Sequence, residues 1–289
     1  MGRTVGAGPR PSGRAGAGAL AVASVLAMAA PAAASTTGPA GHALWVWDPA
    51  DVAAVATVLD AGADTLYLHV PPGAARRGDV VRRVEEARAA GVRVVGVAGD
   101  PSWADDRRAD LLAWVTEVAG AGLVDALVVD VEPHLLPDWS SSRRRARLIE
   151  SFVGALHDAT QRAGATPLSA VVPFWFDDAD LAHRRHGPLL DRVVAATDGI
   201  VVLAYRDTTS GPNGILALVR RELDVAAAAG RTAVVGVETV DTGLGHVDFS
   251  AETRADVTRV LGEVRAAWGT HPGFGGTAVH DARGWRALP

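Results

Sequence analysis

The chain has 289 residues, enough for two average domains or one large barrel. Hydrophobic residues make up 48% and charged residues 21%, an ordinary globular composition that excludes disorder and collagen-like structure. Cysteine is absent, which rules out a disulfide framework, a thiolate zinc site, an iron–sulfur cluster and a Cys nucleophile. All 28 basic residues are arginine and the net charge is −5, a balance that points to no nucleic-acid partner.

Residues 1–18 carry Arg3, Arg10 and Arg14 and no acid. An apolar stretch from Ala19 to Ala30 follows, then Pro31 and the small run Ala32-Ala33-Ala34-Ser35. A positive start, a short apolar core and an A-x-A site predict a secretory signal peptide over 1–34, cleaved after Ala34. The core is too short for a comfortable membrane anchor. Its removal takes away three Arg and no acid, so the charge of −5 becomes −8. That charge argues against an electrostatic grip on anionic polymers. Residues 35–41 read as a flexible linker. The expectation is a secreted monomer with no stable membrane association.

From His42 to residue 289 short β-branched runs alternate with Ala/Arg/Leu-rich helical stretches. Strands are predicted at Ala43–Trp47, Thr65–Val70, Arg93–Ala98, Ala126–Glu132, Leu168–Trp175, Ile200–Tyr205, Thr232–Thr239 and Gly275–His280. Helices are predicted at Asp51–Ala61, Asp79–Ala90, Asp106–Ala119, Arg143–Ala163, Gly214–Ala229 and Ala251–Trp268. Gly91, Gly122, Gly164 and Gly230 stand where left-handed helix ends are expected. Eight strand–helix alternations predict an α/β chain forming a single (β/α)8 TIM barrel. An open doubly wound sheet is the alternative, but no Gly-rich phosphate loop follows the first strand.

The strand ends are polar and aromatic, which is where this fold builds its sites. Side chains two apart share a face of a strand. Ala126, Val128, Asp130 and Glu132 therefore point inward and Leu127, Val129 and Val131 outward. By the same rule Tyr67 and His69 point inward on strand two, and Val234, Gly236 and Glu238 on strand seven. Glycoside hydrolysis needs a proton donor and a second group at the oxocarbenium-like centre. Glu132 and Glu238 form the candidate pair, and Asp130 stands where its charge raises the pKa of Glu132. Candidate carbohydrate-binding residues are Trp47, His69, Asp100, Trp103, Trp175, Asp177, Arg206, Asp207 and His280. For each Trp, core packing is the competing role. His134, His183, His186, His246 and His271 read as loop or surface residues.

The run Asp125-Ala126-Leu127-Val128-Val129-Asp130-Val131-Glu132 resembles the D-x-x-D-x-D-x-E strand of family 18 glycoside hydrolases, the chitinase-like barrels. Leu203-Ala204-Tyr205-Arg206-Asp207 is similar to that family's M-x-Y-D strand. The resemblance implies a proton donor at Glu132, with Asp130 and Tyr205 supporting a substrate N-acetyl group as internal nucleophile. The chain departs from the pattern: Val128 replaces the middle Asp, Ala126 a Gly, Arg206 separates Tyr205 from Asp207, and strand eight ends in His280 where a Trp is usual. Glu132-Pro133-His134 with Glu238 resembles, more weakly, the clan of barrels with an acid/base Glu on strand four and a nucleophile Glu on strand seven. There Asn precedes the first Glu, and here Val131 does.

The expected activity is cleavage of O-glycosidic bonds with Glu132 as general acid/base, needing no cofactor and no metal. Two alternatives stay open. One is a carbohydrate-binding barrel without catalysis. The other is a metal-dependent hydrolase using His69, Asp100, Asp130, Glu132 and His280, although metal-site spacings such as H-x-H are missing.

Overall fold

The computed structural model describes residues 41–183 and 185–289. The predicted signal peptide and residues 35–40 of the predicted linker lie outside them. The eight strands are β1 (Gly41–Val46), β2 (Thr65–His69), β3 (Arg93–Ala98), β4 (Ala126–Val129), β5 (Leu168–Pro173), β6 (Gly199–Leu203), β7 (Thr232–Glu238) and β8 (Phe274–His280). They pair in sequence order, all parallel, and β8 returns to β1 to close the barrel. This is the expected (β/α)8 barrel.

Around it run α1 (Ala54–Asp60), α2 (Gly78–Ala89), α3 (Arg108–Ala121), α4 (Ser142–Ala163), α5 (Leu189–Ala196), α6 (Ile215–Leu218), α7 (Arg220–Ala228), α8 (Arg254–Trp268) and α9 (Ala282–Ala287). α5 and α9 are not among the helices given bounds from the sequence. α9, at six residues, is too short to show a helical period, whereas α5 buries Leu189, Leu190, Val193 and Val194 on one face. Gly91, Gly122, Gly164 and Gly230 all have positive φ, as expected of left-handed helix ends.

Gly41, expected as the last linker residue, is the first residue of β1. Its backbone pairs with Gly276 of β8. A Cβ on Gly276 would lie 2.1 Å from the Gly41 carbonyl oxygen, so the seam closes only because residue 276 has no side chain.

The alternation along each strand separates two cores. Trp45, Tyr67, Val95, Val97, Val128, Val171 and Val201 fill the barrel interior, with Trp45 edge-on to Tyr67 at 4.7 Å. Leu66, Leu68, Leu127, Val129, Val131, Val235 and Val237 face outward onto the helices. β4, β5 and β6 are shorter than expected and stop at Val129, Pro173 and Leu203. Past Val129 the chain enters two short turns opened by Pro133 and Pro137, as Pro101 opens one after β3. Asp130, Glu132 and Tyr205 thus stand past the ladders on the rim, whereas His69, Glu238 and His280 are the last paired residues of β2, β7 and β8. Among the described residues no helix is long and apolar enough to cross a membrane.

Candidate active site

Asp130 leaves β4 with one more ladder bond, its N–H donating to the Ala98 carbonyl at 2.9 Å. Its side chain points into the mouth. Oδ1 is buried and has no hydrogen-bond partner. Burial pushes its pKa up to about 6, against the opposing effect of His280. Glu132 lies two residues further, with its side chain 25% exposed. Burial, then the charge of Asp130, pushes its pKa up to about 7, again against His280. Near pH 6.5 the inner carboxyl is largely ionised and the outer one largely protonated. Splitting two carboxyls in this way is how acid and base roles are separated in one site.

The fit of β4 depends on Gly99, just past β3. A Cβ there would lie 1.8 Å from the Asp130 carbonyl oxygen. Gly99→Ala must therefore displace the segment carrying both carboxyls. We expect a loss of about 1–3 kcal/mol in a denaturant melt and a disproportionate loss of activity. Wild-type behaviour in both measurements would refute the role.

Glu238, at the end of β7, is only 5% exposed, and both its oxygens are engaged. Oε1 accepts from the backbone N–H groups of Thr239 at 2.8 Å and Val240 at 2.7 Å. Oε2 lies 2.7 Å from His280 Nδ1. On the other side of that ring the indole N–H of Trp47 donates to Nε2 at 2.7 Å. An indole N–H only donates, so Nε2 holds a lone pair and the proton of His280 sits on Nδ1, facing Glu238. Burial lowers the pKa of His280; the hydrogen bond and charge of Glu238 outweigh it, and the net shift is upward. The Trp47 contact is that of the neutral ring, and His280 opposes the shifts of Asp130 and Glu132 only when it is protonated. Trp47 is also fixed from β2, where His69 Nδ1–H donates to its carbonyl at 3.0 Å, and burial lowers the His69 pKa.

Tyr205 faces this group from beyond β6, its ring 6.3 Å from that of His280. Burial, then the charges of Glu238, Asp130, Glu132 and Asp281, raises its pKa well above the ordinary tyrosine value, so its hydroxyl stays protonated and able to donate. Trp47, His69, Tyr205, Glu238 and His280 thus form one contact group, and Asp130 and Glu132 lie within electrostatic reach of it at the same mouth. This set can donate a proton from Glu132 and accept a donor at Asp130.

The remaining predicted residues lie around this group or away from it. Trp103 is a correction in part: it is 3% exposed and packs against Trp114 in the outer core, in the wall of the cleft that His69 and Asp100 line, so little of its ring is offered to a sugar. Asp100 caps a turn, its Oδ1 accepting from Ser102 N–H at 2.8 Å and Ser102 Oγ at 2.5 Å. With His69, Asp100 lines a cleft of 390 Å3 against α3. Asp177 is exposed beyond β5. Arg206 turns onto the Phe174 ring at 4.9 Å, and its NH1 donates to the Tyr205 carbonyl at 2.6 Å. Asp207 is half-buried, and its N–H reaches the His246 carbonyl only at 3.4 Å. Trp175 is half-buried in an aromatic cluster with Trp139 and Phe176. A larger cleft, 580 Å3, lies between β1 and α9; Trp47, Asp48 and Asp281 line it, and Glu132 does not.

His134 is the residue that the sequence reading missed. It is 18% exposed, and its Nε2 is 3.3 Å from Glu132 Oε2. The only available signal was its place two residues after Glu132.

The five residues of the metal alternative do not gather. Among the described residues the one group with ligand atoms within 4.8 Å is Glu150, His183 and His186. Two of its donor atoms are engaged: Arg192 donates to Glu150 Oε2 at 2.8 Å, and two backbone N–H groups point at His183 Nδ1 at 3.2 Å.

No protein-family model matches the chain, and no curated protein matches it. Solved structures do. The spore cortex-lytic enzyme of Bacillus cereus aligns with a TM-score of 0.54 at 10% identity over 86% of this chain and 73% of that one. A class V chitinase from Nicotiana tobaccum, in complex with NAG4, aligns at 0.52 and 10% over 84% and 94%. A Toxoplasma gondii structure described as a deoxyribose-phosphate aldolase aligns at 0.52 and 14% over 86% and 92%. The resemblance to TIM-barrel glycoside hydrolases read from strands four and six is therefore matched in fold. At these identities the fold alone is shared, since barrels of one shape host many chemistries.

Proposed function

We propose that the protein is a secreted glycoside hydrolase in which Glu132 is the general acid/base. The observation that carries this reading is the carboxyl pair on the β4 rim. Glu132 is partly exposed and holds its proton to about pH 7, while Asp130 beneath it titrates near 6. The cortex-lytic enzyme and the chitinase among the structural neighbours support the same class. The aldolase likeness adds no rival through a Schiff base, because the chain has no lysine to form one.

Two routes past the oxocarbenium-like centre differ in their nucleophile. Glu238 has both oxygens engaged and little exposure, which disfavours it as the attacking group. Asp130 has a buried acceptor without a donor, and Tyr205 has a protonated hydroxyl close by. Those two groups suit a 2-acetamido substituent, the carboxylate taking its N–H and the phenol supporting its carbonyl oxygen. The substrate is then an N-acetylated glycan, with its own acetamido oxygen as nucleophile. Secretion rests on residues 1–34, and N-terminal sequencing of exported protein should begin near Ser35.

The test is turnover of an N-acetylated β-linked oligosaccharide beside its de-N-acetylated counterpart, read as new reducing ends. Release from the first and not the second is expected. Release from both would restore Glu238 as nucleophile. Binding without release, equal in wild type and Glu132→Gln, would make the protein a carbohydrate-binding barrel.

A further inference from the structure

Side chains from three strands are hydrogen-bonded end to end at the top of the barrel. Glu238 closes β7 and His280 closes β8, and the two are register partners. Glu238 Oε1 accepts from the backbone N–H groups of Thr239 at 2.8 Å and Val240 at 2.7 Å, and Oε2 lies 2.7 Å from His280 Nδ1. Beyond the ring the Trp47 indole N–H donates to Nε2 at 2.7 Å. The rings of Trp45 and Trp47, both edge-on at 5.6 Å, and Tyr205 at 6.3 Å stand around the imidazole.

The direction of this line is set from the Glu238 end. A carboxylate only accepts, so Nδ1 carries the proton. Nε2 then keeps its lone pair, the acceptor that the indole N–H needs. A proton on Nε2 would set two N–H groups against each other and leave both without a hydrogen bond. A carboxylate on β7 thus controls a tryptophan that follows β1, through one intervening ring.

Trp47 stands where a substrate would meet it. β4 and β8 lie on opposite sides of the closed barrel. A glycan with its scissile oxygen at Glu132 and its acetamido group at Asp130 and Tyr205 leads on toward β8 and β1. The 580 Å3 cleft opens there, with Trp47 and Asp281 in its wall. Arg286 of α9 braces the same cleft by donating to Asp51 at 2.7 Å.

We propose that Glu238 is a positioning residue for substrate binding: through the tautomer of His280 it fixes the Trp47 indole as a wall of the β1–α9 cleft, and the sugar unit beyond the one being cleaved lies against that indole. The inference rests on the reading of the protein as a glycoside hydrolase with Glu132 as its acid. Glu238 touches no substrate in this role and acts only through His280.

Glu238→Gln reverses the line. The two backbone N–H groups hold the amide oxygen where Oε1 stood, so the amide N–H faces Nδ1. That nitrogen becomes an acceptor, the proton moves to Nε2, and the indole contact is lost. Imidazole 15N shifts tell the two tautomers and the cation apart, and hydrogen exchange of the indole proton reports its bond. In the wild type the proton should sit on Nδ1 and the indole proton should be protected. In Glu238→Gln the proton should sit on Nε2 and the indole proton should exchange. KM for an N-acetylated oligosaccharide should then rise by about tenfold, the worth of one hydrogen bond, with kcat changed less. Trp47→Phe keeps a ring in the wall and removes the donor. Its His280 proton should stay on Nδ1, because Glu238 sets it, and KM should rise alike. Both substitutions cut the same line, so the double variant should be no worse than either single one. A wild-type ring that is a cation or holds its proton on Nε2 overturns the inference, as does an unswitched tautomer in Glu238→Gln. A switched tautomer with unchanged KM, or additive effects in the double variant, also overturns it. A switch of tautomer in a protein that turns over no N-acetylated oligosaccharide fails differently: the line from Glu238 to Trp47 stands, and the glycosidase reading falls.

Discussion

Glu132→Gln is expected to lower turnover of a glycoside with a poor leaving group by about 10²–10⁴-fold, the usual worth of general-acid help. On aryl glycosides, whose leaving group needs little protonation, the loss should be far smaller. Steady-state kinetics on both substrate types provides the check, and full activity on the unactivated substrate would defeat the assignment. The same experiment separates the roles of the two glutamates. A nucleophile has no substitute, so its loss is nearly fatal on every substrate. Glu238 holds His280 and two backbone N–H groups instead. Glu238→Gln should therefore leave residual turnover, and Asp130→Asn and Tyr205→Phe should do the greater damage. The pH profile carries a sign as well. Activity should rise as Asp130 ionises near 6 and fall as Glu132 deprotonates near 7. Asp130→Asn removes a negative charge that raises the Glu132 pKa, so the basic limb must move to lower pH.

Glu222→Gln should stabilise the fold at pH 8 and do little at pH 5. Glu222 lies on α7, fully buried, and neither of its carboxyl oxygens has a partner. Burial, then the charge of Asp177, pushes its pKa up to about 8, with Arg221 opposing. A carboxyl whose pKa is raised on folding keeps its proton in the native state after the unfolded chain has released it. Stability is then lost as pH rises from the ordinary value of 4.5 to about 8, and no further loss follows above that. At pH 7 the cost is about 3 kcal/mol, taken as 1.36 kcal/mol per pH unit. For a chain of this size each kcal/mol moves Tm by about 2–4 °C. Melts of wild type and variant across pH 5–8 should diverge with rising pH. Parallel curves would show that Glu222 finds a partner or reaches water.

Much of this was open to reading in the amino-acid order. Period-two β-branched runs marked all eight strands, and the inward and outward sets on β2, β4 and β7 came out as the alternation required. One short element was not legible: α9 holds too few residues to display a period. Aromatic identity also misled. Trp47 and Trp103 both follow strand ends, yet Trp47 is pinned at the mouth by His69 and His280, and Trp103 is largely buried against Trp114.

The carboxylates show where local information stops. The order of residues alone places Asp130, Glu132 and Glu238 on the barrel rim, because alternation and strand order are properties of neighbouring residues. It does not say which carboxyl is free. Glu238 is occupied because β8, 42 residues further on, sets His280 against it, and β1 locks that ring through Trp47. Glu132 stays available, and protonated near neutrality, because burial and the Asp130 charge outweigh the opposing effect of His280. Hydrogen-bond partners and desolvation are set by groups distant in the chain, so only the closed barrel decides them.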